Sequence, residues 1–201
     1  VFIICCLPIA TIGASLTALH YVTLKMVRNE ESYIVKSFFK SFKQNFKQAT
    51  IINLIMLLFG GLLYLDLNII NNMSGSMASV LHVLFIAFGI VYFVIFLYLY
   101  PVLAKFYNTI KHTFRNAFLM SIRHLPYTVL MALITAAPVA IFFIPTAQVQ
   151  SIVLLLFILM GFSLEAFING HFLVKIFDNY IIETPSNTSD TEESSEQTPA
   201  V

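Results

Sequence analysis

The clearest shortage in this 201-residue sequence is charge, since only 10% of its residues are Asp, Glu, Lys or Arg whereas 59% are hydrophobic. A soluble domain usually has about a quarter of its residues charged. The mean hydropathy of +0.86 indicates the same imbalance. These values exclude an ordinary soluble domain and predict a protein of the lipid bilayer.

Reactive and metal-binding side chains are also few. Cys5 and Cys6 are adjacent in an apolar run, with no second pair to complete a metal site or a disulfide framework. The five histidines are scattered over different segments, without the paired spacing on one helix that a metal needs. We find no nucleophile elbow, Cys/His arrangement, carboxylate pair or phosphate-binding loop. The sequence therefore predicts no enzyme activity, no metal and no cofactor.

The apolar residues are grouped into segments of about 20 residues, the length that crosses a bilayer. Spans are predicted at about 51–70, 80–100, 125–144 and 151–173, and the apolar run at the start of the sequence is interpreted as a truncated first span. The predicted fold is all-α, a polytopic membrane helical bundle with about five transmembrane helices. Residues 1–182 form a single transmembrane domain, and the acidic residues 183–201 form a disordered cytoplasmic tail.

Two basic amphipathic stretches, residues 33–50 and 105–124, precede predicted transmembrane hairpins. Each has phenylalanines on one helical face and basic residues on another. Such helices are typical of the inner surface of an anionic membrane, so inner-leaflet lipid is the predicted partner rather than nucleic acid. An ordinary helix packed on a soluble core is the alternative. The candidate lipid-facing residues are Lys36, Lys40, Lys43, Lys47, Lys111 and Arg115.

The two basic stretches align at a separation of 72 residues, with Ser41–Phe46 on Thr113–Phe118. The same shift places the second span on the fourth and the third on the fifth. We therefore predict a tandem repeat of a surface helix and a transmembrane hairpin, the alternative being chance similarity of two basic helices. All eleven Lys and Arg residues fall on one side of these spans. The positive-inside rule makes that side, with the C-terminal tail, cytoplasmic in a multi-pass protein of the cell membrane.

Glu165 is the most unusual residue, because an ionised carboxylate inside a span costs a few kcal/mol or more unless it is paired or hydrated. Asn169 is four residues further on and shares its helical face, whereas His171 points elsewhere. One hypothesis is a polar membrane site formed by Glu165 and Asn169. The other places Glu165 near the interface, protonated or paired with a basic residue of a surface helix.

Two parts of the sequence resemble a known family. The run Leu7–Lys25, with Phe38–Gln48 after it, resembles the YesL family of bacterial integral membrane proteins, a domain of unknown function numbered 624. The stretch Ala166–Phe172, followed by Phe177–Tyr180, is similar to that family's C-terminal end. The resemblance covers nearly all of the chain except its acidic tail, and it carries over no catalytic or ligand residue.

The resemblance implies an accessory role, because members of that family are often found beside bacterial carbohydrate-uptake systems. Our leading hypothesis is therefore a membrane accessory protein that binds a sugar ABC transporter or its sensor through cytoplasmic helices. The alternative is a small transporter or channel with a polar path near Glu165. The sequence does not predict an oligomeric state.

Overall fold

A computed structural model describes residues 1–6, 11–30, 33–73, 75–143 and 145–180. The described chain is 89% helical and has no strands, which confirms the predicted all-α fold. The predicted tail, residues 183–201, lies outside the described residues. A single helical turn, Phe2–Cys5, precedes six helices. These are α1 (Ile12–Val27), α2 (Ile34–Asn71), α3 (Ser76–Lys105), α4 (Ile110–Arg123), α5 (Leu125–Ala136) and α6 (Ala147–Asp178).

Three of these helices, α2, α3 and α6, are long and apolar enough to cross a membrane, and the bent pair of α4 with α5 raises the number to four if it counts as one span. These segments contain three of the four complete spans predicted from the sequence, at 51–70, 80–100 and 151–173. The fourth, predicted at 125–144, is α-helical only to Ala136 and continues as a 3-10 helix over Ala137–Phe143. The predicted truncated first span is represented in the described residues by the turn Phe2–Cys5, which is too short to cross a bilayer. The described residues thus form a helical bundle with three to four candidate spans, and the truncated first span stays a prediction.

The first basic stretch does not form a helix of its own. It is the N-terminal half of α2, which continues without a break for 38 residues. At 1.5 Å per residue such a helix is about 57 Å long, whereas the hydrocarbon core of a bilayer is about 30 Å thick. The prediction of a separate surface helix ending at Thr50 is therefore wrong. Neither Pro nor Gly interrupts the sequence at that point, so the helix has no reason to end there.

A compact unit, called the head below, contains most of the buried side chains. It consists of α1, α4, residues 34–56 of α2, residues 98–105 of α3 and residues 166–178 of α6. Helix α1 is its central element, because α1 contacts α2, α3 and α6 and buries nine of its 16 residues. All eleven Lys and Arg residues lie in the head or in the turns that join its helices.

Small side chains allow α1 to approach its neighbours closely. At Gly13 an added Cβ would lie 2.6 Å from the carbonyl oxygen of Ala49 and 2.8 Å from the Cβ of Asn53. Ala14 and Ala18 are completely buried on the same helix. The pairing of α1 with the basic half of α2 therefore depends on a position that has room only for glycine.

Two helical hairpins extend from the head. One consists of the C-terminal half of α2 and the N-terminal half of α3, and the other of α5 and the N-terminal half of α6. In the most apolar 18-residue stretch of α3 none of the residues is buried within the chain, and in that of α6 only 6% are. Leu58, Val83 and Leu133 are among the large apolar side chains that face outwards. Such surfaces suit lipid chains and not water.

The second basic stretch, predicted over residues 105–124, is helical only from Ile110 to Arg123 as α4, since Lys105 ends α3 and residues 106–109 are not helical. Helix α4 ends at a sharp bend. The axes of α4 and the following helix differ by 103°, and His124 at the corner has φ −117° and ψ 43°. Pro126 favours a break here, because its ring excludes the carbonyl of the preceding turn and it has no N–H to donate. The Thr128 hydroxyl donates to the carbonyl oxygen of Ser121, at 2.8 Å, and stabilises the corner.

The helix bounds support the predicted 72-residue repeat. Adding 72 to the bounds of α3 gives 148 and 177, and α6 runs from Ala147 to Asp178. Ser41 and Thr113 occupy equivalent positions and are both buried. The two copies differ at the corner, because the second bends at His124 whereas the first continues straight through the equivalent residue, Ile52.

Candidate functional site

A cavity of about 470 Å³ lies between α1, α3, α5 and α6, where the two hairpins join the head. Its walls are mainly apolar. Glu165 and Asn169 of α6 both line it, as do Thr135 of α5 and His20 of α1. The structure thus places the two polar residues that the sequence singled out in one cavity, while their function remains a prediction. His171 does not line the cavity, and its ring nitrogen Nδ1 lies 3.0 Å from the carbonyl oxygen of Phe167.

Two polar side chains of this cavity are hydrogen-bonded to each other. The Asn169 amide nitrogen donates to the Thr135 hydroxyl at 3.1 Å. The half-buried carboxyl group of Glu165 lines the same cavity. Asn169 is only 5% exposed, and its Oδ1 has no hydrogen-bond partner among the described residues. A buried acceptor without a partner costs about 1–3 kcal/mol. A ligand that donates a hydrogen bond to this atom would therefore bind favourably.

No Lys or Arg is among the described residues that line the cavity. Two ion pairs occur in the described part of the chain, Lys25 with Glu30 at 3.8 Å and Arg28 with Asp178, and neither includes Glu165. The hypothesis that a basic residue of a surface helix pairs with Glu165 therefore has no support in the structure.

His20 supplies no positive charge to the cavity. It lies on α1, which is not among the candidate spans. Burial lowers the pKa of His20 to about 4, because the cationic form loses its hydration, so the imidazole is neutral at pH 7. Its Nδ1 is buried without a hydrogen-bond partner among the described residues.

Sequence reasoning missed Thr135 and His20. A threonine in an apolar helix and one of five scattered histidines give no signal by themselves. Only the packing of α1 and α5 against α6 brings them to Glu165.

The four lysines of α2 are exposed. They lie in the N-terminal half of the helix, so each lies at a different distance from the apolar half that forms the span. Lys36 lies 11 residues before Lys47, or about 16 Å along the helix. For an upright α2 only Lys43 and Lys47 are close to the lipid headgroups. The phenylalanine face is divided too, because Phe38 is buried and Phe42 half-buried against α1. Half of this stretch thus serves the packing of the head rather than the membrane surface.

Helix α4 has the geometry expected of a surface helix. It lies at a large angle to α5, and Lys111 and Arg115 are exposed. Its exposed apolar residues, Phe118, Leu119 and Ile122, lie towards the bend and next to the lipid-facing surface of α5. Basic side chains beside exposed apolar ones are characteristic of a helix at the level of the headgroups.

We expect a fluorophore at position 118 to be quenched by lipids that carry a spin label near the headgroup, and one at position 36 to be unaffected. The variants Phe118→Cys and Lys36→Cys, made in a chain whose Cys5 and Cys6 are replaced by serine, allow this measurement. Val83→Cys, on the outward surface of a hairpin, is the control with lipid contact. Equal quenching at positions 36 and 118 would show that α2 lies along the membrane after all.

The helices and the distribution of charge fit a multi-pass membrane protein. Residues 1–67, one third of the 201, match a family described as "Protein of unknown function, DUF624". The matched range includes residues 7–48, which carry the most specific part of the resemblance given above, and it does not extend to residues 166–180. No curated protein and no solved structure matches the chain.

Proposed function

We propose that this protein is a membrane accessory component whose head binds another membrane component on the cytoplasmic side. Its setting would be bacterial carbohydrate uptake or the sensing of carbohydrate, with a sugar ABC transporter or its sensor as the partner. The observation that carries this proposal is the division of the molecule into a basic head that contains most of the buried side chains and two hairpins whose apolar surfaces are largely exposed.

The hairpins support an anchoring role for a physical reason. A transport path needs polar groups enclosed by protein along the whole thickness of the bilayer. In the hairpin of α2 and α3 the described side chains are mostly apolar and face outwards. Asp66 is the acidic residue there, and it lies half-exposed near the outer end of α2. The exposed charges of the head offer a surface for a partner instead.

A photocrosslinking amino acid at position 40, on the exposed surface of the head, tests this proposal in membranes of the producing cell. We expect a protein adduct of defined mass from position 40 and only lipid adducts from position 58, which faces outwards in a hairpin. Mass spectrometry of the adduct then shows whether the partner is a carbohydrate importer or sensor. Lipid adducts alone at both positions would contradict the proposal.

The second candidate function is a small transporter or channel, which the cavity at Glu165 favours. Purified protein in liposomes tests it, with a pH-sensitive dye inside and an imposed proton gradient or sugar gradient. Flux through the unaltered protein that Glu165→Gln abolishes and Asp66→Asn preserves would replace the accessory proposal. We expect the liposomes to be no leakier than protein-free ones.

A further inference from the structure

The walls of the cavity beside Glu165 are rich in aromatic rings. Two come from α3, where the rings of Phe96 and Tyr100 meet edge to face with centroids 5.4 Å apart. The others come from α6 and the N-terminal turn, where Phe162 contacts Phe157 at 5.0 Å and Phe2 at 5.9 Å. Such rings form an apolar wall against which the apolar part of a ligand can pack.

Two of the polar groups of the cavity are hydrogen-bond acceptors. These are the Glu165 carboxylate and Asn169 Oδ1, which has no hydrogen-bond partner among the described residues. His20 Nδ1 is also without a partner there, and it accepts in the tautomer that has its proton on Nε2. The Thr135 hydroxyl already accepts a hydrogen bond from the Asn169 amide nitrogen. Since no described lining residue is Lys or Arg, the described residues supply no counter-ion for Glu165 and no donor for Asn169 Oδ1. A ligand that has both a positive charge and N–H donors can pair with the Glu165 carboxylate and donate a hydrogen bond to Asn169 Oδ1.

We propose that this cavity binds a protonated amine that carries an apolar group, with the ammonium at Glu165 and Asn169 and the apolar group among the aromatic rings. The volume of about 470 Å³ is in the range of small-molecule sites. It is far larger than a bare metal ion needs, and the few side-chain oxygens are fewer than the six or so that hard cations require. A free sugar fits poorly, because most of its hydroxyls would face apolar walls.

This site is independent of the proposed accessory function, since binding to the purified chain requires no partner protein. The probe is 4-phenylbutylammonium, compared with 4-phenylbutanol, which has the same apolar group but no charge. The full chain in nanodiscs of neutral phosphatidylcholine is titrated calorimetrically, and empty nanodiscs provide the blank. Because hydrogen bonds to a charged group are stronger than those between neutral groups, we expect the ammonium to bind at least about tenfold more tightly than the alcohol.

Glu165→Gln should remove this difference between the two probes, and Asp66→Asn, the matched change of a carboxylate outside the cavity, should preserve it. Equal affinity for the ammonium and the alcohol in the unaltered protein would overturn the proposal. So would a preference for the ammonium that survives in Glu165→Gln.

A second measurement does not need the variant to fold. Dicyclohexylcarbodiimide adds, together with one proton, to a carboxylate in an apolar environment, forming an O-acylisourea that rearranges to a stable N-acylurea with no leaving group. Peptide mapping by mass spectrometry should find this adduct at Glu165. The ammonium should slow its formation severalfold, and the alcohol should slow it less. Protection that is equal for both probes would contradict the assignment of Glu165 as the counter-ion.

Discussion

Gly13→Ala is expected to lower the unfolding midpoint of the detergent-solubilised protein by several degrees. The new Cβ would lie 2.6 Å from the backbone oxygen of Ala49, and a backbone atom cannot move aside as the end of a flexible side chain can. Overpacking of this kind costs about 1–3 kcal/mol, more than the roughly 0.5–1 kcal/mol that alanine gains over glycine inside a helix. Because α1 is the central element of the head, its displacement would also affect α3 and α6.

Gly61→Ala is the matched control. Gly61 lies in the exposed half of α2, and an added Cβ there would have no atom within 4 Å. We expect this variant to keep or slightly raise the midpoint, measured by fluorescence-detected size-exclusion chromatography after heating. Gly13→Val should be worse than Gly13→Ala. If all three variants have the same unfolding midpoint as the unaltered protein, α1 does not approach α2 closely at Gly13.

Thr128→Val should destabilise the corner between α4 and α5 by about 2–3 kcal/mol, since one hydroxyl makes several buried hydrogen bonds there. The hydroxyl groups of Thr128 and Tyr98 are 2.8 Å apart, and Thr128 also donates to the carbonyl oxygen of Ser121 at 2.8 Å. Tyr98 is completely buried, so valine would leave its hydroxyl with neither a partner nor water. The same heating assay measures the loss.

Ser151→Ala is the control for Thr128→Val, because the Ser151 hydroxyl bonds a carbonyl of its own helix at an exposed position. We expect no measurable change there. Adding Tyr98→Phe to Thr128→Val should recover part of the stability, because the buried hydroxyl that lost its partner is removed as well. Strict additivity of the two changes would show that the two hydroxyls are not hydrogen-bonded.

The helical spans and the clustering of basic residues could be predicted because both depend on local sequence. A run of 20 apolar residues needs a lipid environment whatever surrounds it, and the interval of 72 residues between the copies is visible in the sequence alone. The end of the first basic stretch could not be predicted. An amphipathic helix that turns at the membrane and one that continues into the span have the same pattern around Thr50.

Only part of the candidate site could be predicted from the sequence. Glu165 and Asn169 stand out because they are polar residues four positions apart in an apolar helix. Thr135 and the unpartnered nitrogen of His20 belong to helices distant along the chain, and they join the site only through packing. The aromatic rings of the cavity are equally invisible in a sequence that contains 20 phenylalanines.

The sequence by itself thus determined that this is a helical protein of the membrane with its basic residues at one end, because hydropathy and charge act at each segment separately. The tertiary structure decided that α1 occupies the centre of the head, that α2 continues straight while the second copy bends at His124, and that a cavity forms at Glu165. These features depend on close approach at Gly13, on the hydrogen bonds of Thr128 and on contacts between distant helices. No local pattern encodes such contacts.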